Sequence, residues 1–538
     1  MSRSMSARGV RASVPLCLCA FVPLCLSASQ LSAQEPSSPP VIDTVTITTL
    51  NVFDPEDAQQ NVLFRIANAL HVTTRSGVVR QELLFKQGER LDPALVAETL
   101  RNLRRRGLFR DVRIDTIPVA GDSVWVHVTT ADGWTTQLVM NGSSTGGEFT
   151  WALGAQEQNF LGTGTRVGVI YRDEPDRTAL TLLAGLDRIG GSRWTAQGTY
   201  DDLSDGAIGV WNVGIPYRAF GDRWSVELWG EGADRRINQY RVFDFTSVDT
   251  TRFTRQALFN RVTASYAPIA SPQGYLRLGI GAHLKHEEYV APGVDPAGVP
   301  DTVSGVVGAF GELVHARFKV VTHYNGFDRE VDLDLSSRVT LSAWLAPKAF
   351  GYARTGVGPR VTVQTGVDFG RGFARLEGLA NGLFTAAGLD SGRVWTGLTA
   401  AALVVERHAT VFHMEAGLRD GLPPGAEFDL GHGFGPRGFG SHAFTGTRTV
   451  WGALEHRWFA VDEVSGVLGL GFAAFVDYGG AWYHDQPARF GGNVGAGLRF
   501  GPTRSTGPNI GRLDLAYRFG RGFEGKRWVV AFGRGFGF

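Results

Sequence analysis

The chain has 538 residues, a formal net charge of +1, 43% hydrophobic residues and 71 glycines, enough for one large domain or several small ones. So even a balance of charge argues against a nucleic-acid polymer as the main partner. All three cysteines, Cys17, Cys19 and Cys25, fall within the first 25 residues, so a chain that loses this segment has neither disulfides nor thiolate metal sites.

Arg3, Arg8 and Arg11 precede an apolar run from Val14 to Leu26, and small residues follow between Ala28 and Ala33. This charged-then-apolar layout predicts a secretory signal peptide over residues 1–33, with the linker "EPSSPP" inside residues 34–40. An uncleaved anchor is the competing reading, but the run is short and broken by Pro15 and Pro23. Leu24 before Cys25 speaks against a lipoprotein. Beyond residue 35 no stretch reaches the roughly 18 uninterrupted apolar residues of a spanning helix. Export without disulfides suits the envelope of a Gram-negative-type bacterium.

Residues 41–134 read as a small α+β domain. "VIDTVTITTLNVF" (41–53) is rich in β-branched residues and predicts a strand. "SGVVRQELLF" (76–85) has apolar residues at helical spacing. In "DPALVAETLRNLRRRG" Asp92 caps, Pro93 takes the first helical position and Gly107 ends the run, with Leu95, Val96, Thr99, Leu100 and Leu103 on one face. Two strands follow, "RDVRIDTI" (110–117) and "SVWVHVTT" (123–130), turning at Gly121 and Asp122. The predicted order is strand, helix, helix, strand, strand. The cluster Arg101, Arg104, Arg105 and Arg106 is read as a solvated helix face near a C-terminus, where cations are favoured.

From residue 135 to residue 538 the texture changes to alternating segments separated by glycine and polar turns. "GYLRLGIGAHLKHE" sets Leu276, Leu278, Ile280, Ala282 and Leu284 against Arg277, Gly279, Gly281, His283 and Lys285. "GRLDLAYRFG" sets Leu513, Leu515, Tyr517 and Phe519 against Asp514, Ala516 and Arg518. Period-two alternation predicts strands with one apolar and one polar face. A soluble sandwich alternates too, but alternation to the last residue in an exported chain favours a transmembrane antiparallel β-barrel, making the chain mainly β. Trp224, Trp229, Trp451, Trp458 and Tyr517 are candidates for interfacial girdles. Roughly 400 residues at about 10 per strand favour sixteen strands, with about 16 residues per connection, while fourteen or eighteen stay open.

Four stretches stand out: "PRGF" (436–439) in a glycine-rich segment, "FTGTRTVWGALEHRW" (444–458), "FVDYGGAW" (475–482) and the early "EQNFLGTG" (157–164), together with the terminal Phe538. In this order they resemble the BamA and TamA superfamily of outer-membrane assembly factors, the bacterial surface antigens, which share ancestry with two-partner secretion transporters. Residues 41–134 similarly resemble one polypeptide-transport-associated domain. Pro436 stands where that family commonly has an aliphatic residue.

The resemblance implies that the loop of Pro436, Arg437, Gly438 and Phe439 returns into the lumen, where Arg437 meets an acid, here Asp477. Strand parity agrees independently. With Leu468, Leu470, Phe472, Ala474, Val476 and Tyr478 towards lipid, Phe475 and Asp477 face the lumen. Glu455 shares an inward parity and is a second candidate partner. The competing reading is a solvated arginine in an external loop.

Asp429, His432, Ser441 and His442 invite a hydrolase or metal reading, but a glycine loop is a poor scaffold for either. No catalytic residue, metal or cofactor is therefore expected. In the last strand Val530, Phe532, Phe536 and Phe538 share the parity of an outer-membrane sorting signal, interrupted at Arg534. Gly533, Gly535 and Gly537 fit either poor pairing at a seam or a lumen face kept small.

The function implied by the resemblance is insertion or translocation of polypeptides at the outer membrane. The implied partners are unfolded outer-membrane or secreted polypeptides, outer-membrane lipids and periplasmic chaperones or accessory proteins. Strand addition would occur at an edge of the N-terminal domain, Thr44 to Val52 or Val124 to Val128, and the first and last barrel strands would meet at a weak seam. Alternatives are a dedicated two-partner-type transporter, a passive porin or structural barrel, and an outer-membrane phospholipase.

Overall fold

The computed structural model describes residues 39–145, 148–242, 248–290, 302–421, 423–431, 434–505, 510–520 and 525–535. The signal-peptide segment, most of the linker, His432, Phe536, Gly537 and Phe538 lie outside the described residues.

The N-terminal domain is built from β1 (Val41–Leu50), α1 (Pro55–Gln60), α2 (Val62–Leu70), α3 (Ser76–Arg80), α4 (Pro93–Arg105), β2 (Phe109–Val119) and β3 (Ser123–Asp132). Its sheet runs β1-β3-β2, with β1 parallel and β2 antiparallel to β3. Ile42, Val79, Leu103, Phe109, Val112, Val126 and Val128 fill the core. Apolar burial of this kind supplies about 25 cal/mol per Å². The ends of α4 follow the predicted chemistry, since Asp92 Oδ1 accepts from the Ala94 N–H at 2.8 Å and Gly107 has φ +65°, open to glycine without strain.

Three expectations for this domain change. Helices α1 and α2 interpose between β1 and the first predicted helix, and that helix, α3, is only five residues long. Strand β3 is central, so Val124 to Val128 is no free edge, whereas β1 lies at one. The arginine cluster on α4 is engaged with the barrel end: Arg101 lies 4.2 Å over the Phe318 ring, Arg104 pairs with Glu330 and Asp332, Arg105 donates to the Arg218 carbonyl at 3.3 Å and Arg106 bonds Asp187 at 2.5 Å. Complementary acids far along the chain, invisible along the helix itself, turn a face expected to be solvated into a dock.

From β4 (Thr136–Thr145) to a last strand at Trp528–Arg534, twenty strands of the described residues form one closed antiparallel barrel. Sixteen was too few because many connections are tight turns. Only Ser204 and Asp205 separate the strands ending at Leu203 and starting at Gly206, and only Ala386 and Ala387 separate those at Thr385 and Gly388. Among the described residues no helix is long and apolar enough to cross a membrane.

Alternation holds as expected. In the strand Leu468–Trp482, Leu470, Phe472, Val476 and Tyr478 are exposed on the outer wall while Ala473, Phe475 and Asp477 are buried inside. Trp224 and Trp458 face outward, as a girdle requires. Trp451 is buried, because it shares the inward parity of Glu455 in the strand Arg448–Val464, and Trp229 stands on an inward face beside Phe259.

Segments enter the lumen from both ends. At the end facing the N-terminal domain, residues 316–336 form a hairpin, Phe318–Val321 paired with Val331–Asp334. Its Val321, Phe327, Leu333 and Leu335 pack on Phe373, Ala401, Val411, Phe459 and Ile510 of the inner wall. From the far end the described residues between 423 and 447 fold inward around the pair Phe428–Leu430 and Phe444–Gly446. Only this second insertion was foreseen.

Candidate functional site, a buried latch beside a weak seam

Pro436, Arg437, Gly438 and Phe439 are all buried inside the barrel. The segment enters because its apolar side chains have a place to go: Phe439 and Phe444 meet at 5.1 Å and join Phe428, Leu430, Trp451 and Ala481. Both rings press on Gly491, where a Cβ would stand 2.7 Å from each. The Pro436 carbonyl accepts from the Phe439 N–H at 3.3 Å, closing the turn that presents Arg437.

Arg437 meets both expected acids. Its Nε and backbone N–H donate to Asp477 Oδ2 at 2.8 and 3.2 Å, and Nη2 donates to Oδ1 at 2.9 Å. Nη1 donates to Glu455. The guanidinium also lies 4.0 Å over the Phe475 ring, a cation–π contact worth about 2 kcal/mol when desolvated. Arg437 and Asp477 are each 1% exposed and Glu455 0%. Charge pairs this deep stay in place only when fully hydrogen-bonded, which the two-pronged geometry achieves.

Several members of the site were not foreseen. Asn493, the register partner of Asp477, donates to Asp477 Oδ2 at 2.8 Å and accepts from the Gly438 N–H at 2.9 Å. Arg457 donates to Glu455 Oε1 at 2.8 Å and to the Tyr324 carbonyl at 2.8 Å, joining the far-end loop to the near-end hairpin through one carboxylate. Arg499 donates to Asp514 at 2.6 Å and lies 3.6 Å from Glu455. Inward parity was readable for all of these. Their pairings, which link four strands, were not.

His442, from the rejected catalytic group, has Nδ1 at 2.5 Å from Asp429 and Nε2 at 3.4 Å from Asp176. Its ring stacks on Tyr240 at 3.6 Å. Burial pulls its pKa down, but hydrogen bonds to Asp176 and Asp429 and their charges outweigh that and raise it to about 9. An imidazole held between two carboxylates is a rivet on the loop.

The seam lies three strands beyond Asp477. The last strand makes seven register pairs with its preceding neighbour, Gly511–Gly520, and β4 makes ten with its own next strand. Among the described residues one register pair joins the last strand to β4, Phe532 with Ser144. Phe532 covers the gap, its ring 6.0 Å from Phe149 and tight over Gly142, where a Cβ would stand 2.7 Å away. Val530, on the same strand, is exposed on the outer wall.

No protein-family model matches the chain, and no curated protein does. Among solved structures it is similar to BamA from Haemophilus ducreyi lacking POTRA domains 1-3, with 12% identity over 86% of this chain and 82% of that one and a TM-score of 0.39. It is similar also to CdiB from Escherichia coli, with 13% identity over 96% and 93% and a TM-score of 0.44. A third is BauA, the ferric preacinetobactin receptor from Acinetobacter baumannii, with 11% identity over 78% and 83% and a TM-score of 0.34. Likenesses this remote, to proteins this different, do not separate one function from another.

Proposed function

We propose that the chain is an outer-membrane protein, its N-terminal domain in the periplasm, that inserts or translocates other polypeptides and catalyses no covalent reaction. The supporting observation is that, among the described residues, the joint between the last strand and β4 has a single register pair in a wall whose neighbouring joints have seven and ten. A strand with unpaired N–H and C=O groups is a template for an incoming strand. Opening this joint frees two such edges, β4 and Trp528–Arg534, while the other joints flanking them stay closed. In the N-terminal domain the edge strand β1 is the surface on which an extended client would first add.

The two segments packed inside the lumen favour passage through the wall over passage down the axis. A two-partner-type transporter needs both the 316–336 hairpin and the 421–447 segment withdrawn, and a passive porin needs an axial path where Phe327 and Phe439 are packed. Clients are thus unfolded outer-membrane polypeptides on this reading.

A disulfide between Ser144→Cys and Phe532→Cys tests it, in cells whose only copy carries both changes. Client assembly is expected to stop when the pair is oxidised and to return on reduction. Full activity of the oxidised barrel would overturn the proposal. Depletion followed by a survey of the outer-membrane proteome then separates roles: broad loss of barrels marks an insertase, loss of one secreted protein a dedicated transporter.

A further inference from the structure

The segment between β1 and α3 had no place in the predicted order, and its main element, α2, is packed the wrong way round for a soluble domain. Towards the domain it turns Phe64, stacked on Phe53 at 4.0 Å, and Asn68, which bonds both the N–H and the carbonyl of Phe53 at 3.0 and 2.8 Å. Away from it stand Val62, Leu63, Ile66 and Leu70, 57%, 71%, 50% and 72% exposed, with Val72 just beyond at 52%. At 3.6 residues per turn the four helical residues share an arc of about 100°. Arg65 is exposed on the flank of this face.

The position of the helix gives the face its meaning. Near its start, the Phe64 ring lies 3.2 Å from where a Cβ of Gly466 would stand, and Asp57 pairs with Arg504 at 3.8 Å. Past its end, the Arg75 N–H donates to the Gly162 carbonyl at 2.9 Å. Gly466 and Arg504 belong to turns on one side of the seam and Gly162 to a turn on the other, so in barrel order the last strand and β4 lie between them. The helix therefore crosses at the base of the seam. Phe160, Leu161 and Val467, exposed beside those same turns, carry the apolar outer wall down to it.

We propose that α2 is an interfacial helix: its apolar face lies among the acyl chains just under the headgroups of the near leaflet, and Arg65 reaches the lipid phosphates. The occupant is lipid because the face continues a wall that already meets lipid. It presents side chains without a free backbone edge, so it offers an extended client nothing to pair with. An amphipathic helix with a cation at its margin is suited to that boundary. The inference rests on the membrane placement of the barrel and is independent of what the protein does to clients.

The test uses the full chain with Cys17, Cys19 and Cys25 changed to Ser, reconstituted in phosphatidylethanolamine–phosphatidylglycerol vesicles. An environment-sensitive fluorophore is attached at Leu63→Cys, at Leu153→Cys on the outer wall, or at Asp115→Cys on exposed β2. The label at 63 is expected to shift to the blue and to be quenched several-fold more than that at 115 by lipids brominated close to the headgroup, while the label at 153 is quenched by deeply brominated lipids. In Ile66→Gln/Leu70→Gln the quenching at 63 should fall towards that at 115. A label at 63 that behaves like the one at 115 while 153 is quenched overturns the inference and leaves the barrel reading intact. Shielding at 63 only when an unfolded barrel polypeptide is added overturns it in favour of a client-binding face. If 153 also escapes quenching, membrane placement falls and the inference with it.

Discussion

Two parts of one wall are built on opposite terms. Strands 448–464, 468–482, 491–502 and 511–520 are tied inside the lumen by Arg437, Arg457 and Arg499 with Glu455, Asp477 and Asp514. The joint that follows, between the last strand and β4, has one register pair among the described residues, with Phe532 packed beside Phe149 and Gly142. The contrast teaches where movement is allowed. On the proposed reading a stiff panel beside this joint opens at the joint, because separating buried charge pairs costs several kcal/mol whereas a single bridge contributes only about 1 kcal/mol.

The largest effect is expected from breaking the stiff side. Arg437→Ala leaves Asp477 buried without its cation and Asp477→Ala leaves Arg437 to share Glu455 with Arg457, so each should cost up to about 3–5 kcal/mol. The double variant should lose less than the sum, since neither remaining charge stands alone. Urea unfolding of the refolded barrel and protease access to residues 434–446 measure both. Additive losses would mean that the two side chains do not act as a pair.

Next comes the rivet at His442. Because its pKa in the folded protein, about 9, lies above the ordinary 6.5, its contribution is fully present below about pH 6.5 and disappears as pH rises through about 9. Proteolysis of the 421–447 segment should accelerate across that window, and in His442→Gln the acceleration should vanish. A variant that keeps the same pH profile would place the titration elsewhere.

How much of this was legible follows from the range of each interaction. Period-two alternation is local, so the inward faces of Asp477, Glu455, Asp514 and Arg518 could be read directly. The pair of Arg437 with Asp477 was reached through resemblance and parity together. Asn493 was missed because its role depends on cross-strand register, which the sequence does not state. The arginines of α4 were misread since their acidic partners, Asp187 and Asp332, are over 80 residues away. The near-end hairpin was missed for another reason: "FKVVTHYNGFDREVDLD" lies between two strands and its apolar residues look like more wall until the chain closes around them.

A smaller effect is expected at the weak side. Phe532→Ala removes an aromatic contact worth about 0.5–1.5 kcal/mol from the joint whose described residues form one register pair. Hydrogen exchange should rise in β4 and the last strand and stay unchanged in strand 468–482. A uniform rise over the whole barrel would contradict the separation of joint from panel.

The smallest effect separates the panel from the hairpin beside it. Arg104 of α4 pairs with Glu330 and Asp332 at the base of the lumen hairpin, while Arg457 holds the Tyr324 carbonyl of the same segment from within. The outer grip is partly exposed, so each pair should be worth about 1 kcal/mol or less, and high salt should weaken it. Arg104→Asp should leave urea stability nearly unchanged yet raise the frequency of brief conductance steps in a planar bilayer, because the hairpin then depends on its buried contacts alone. Adding Glu330→Arg and Asp332→Arg restores opposite charges across the interface and should return the conductance to its quiet state. If the charge-reversed and restored proteins conduct alike, the N-terminal domain has no hold on the hairpin, and the buried contacts of Phe327 and Tyr324 keep the lumen closed by themselves.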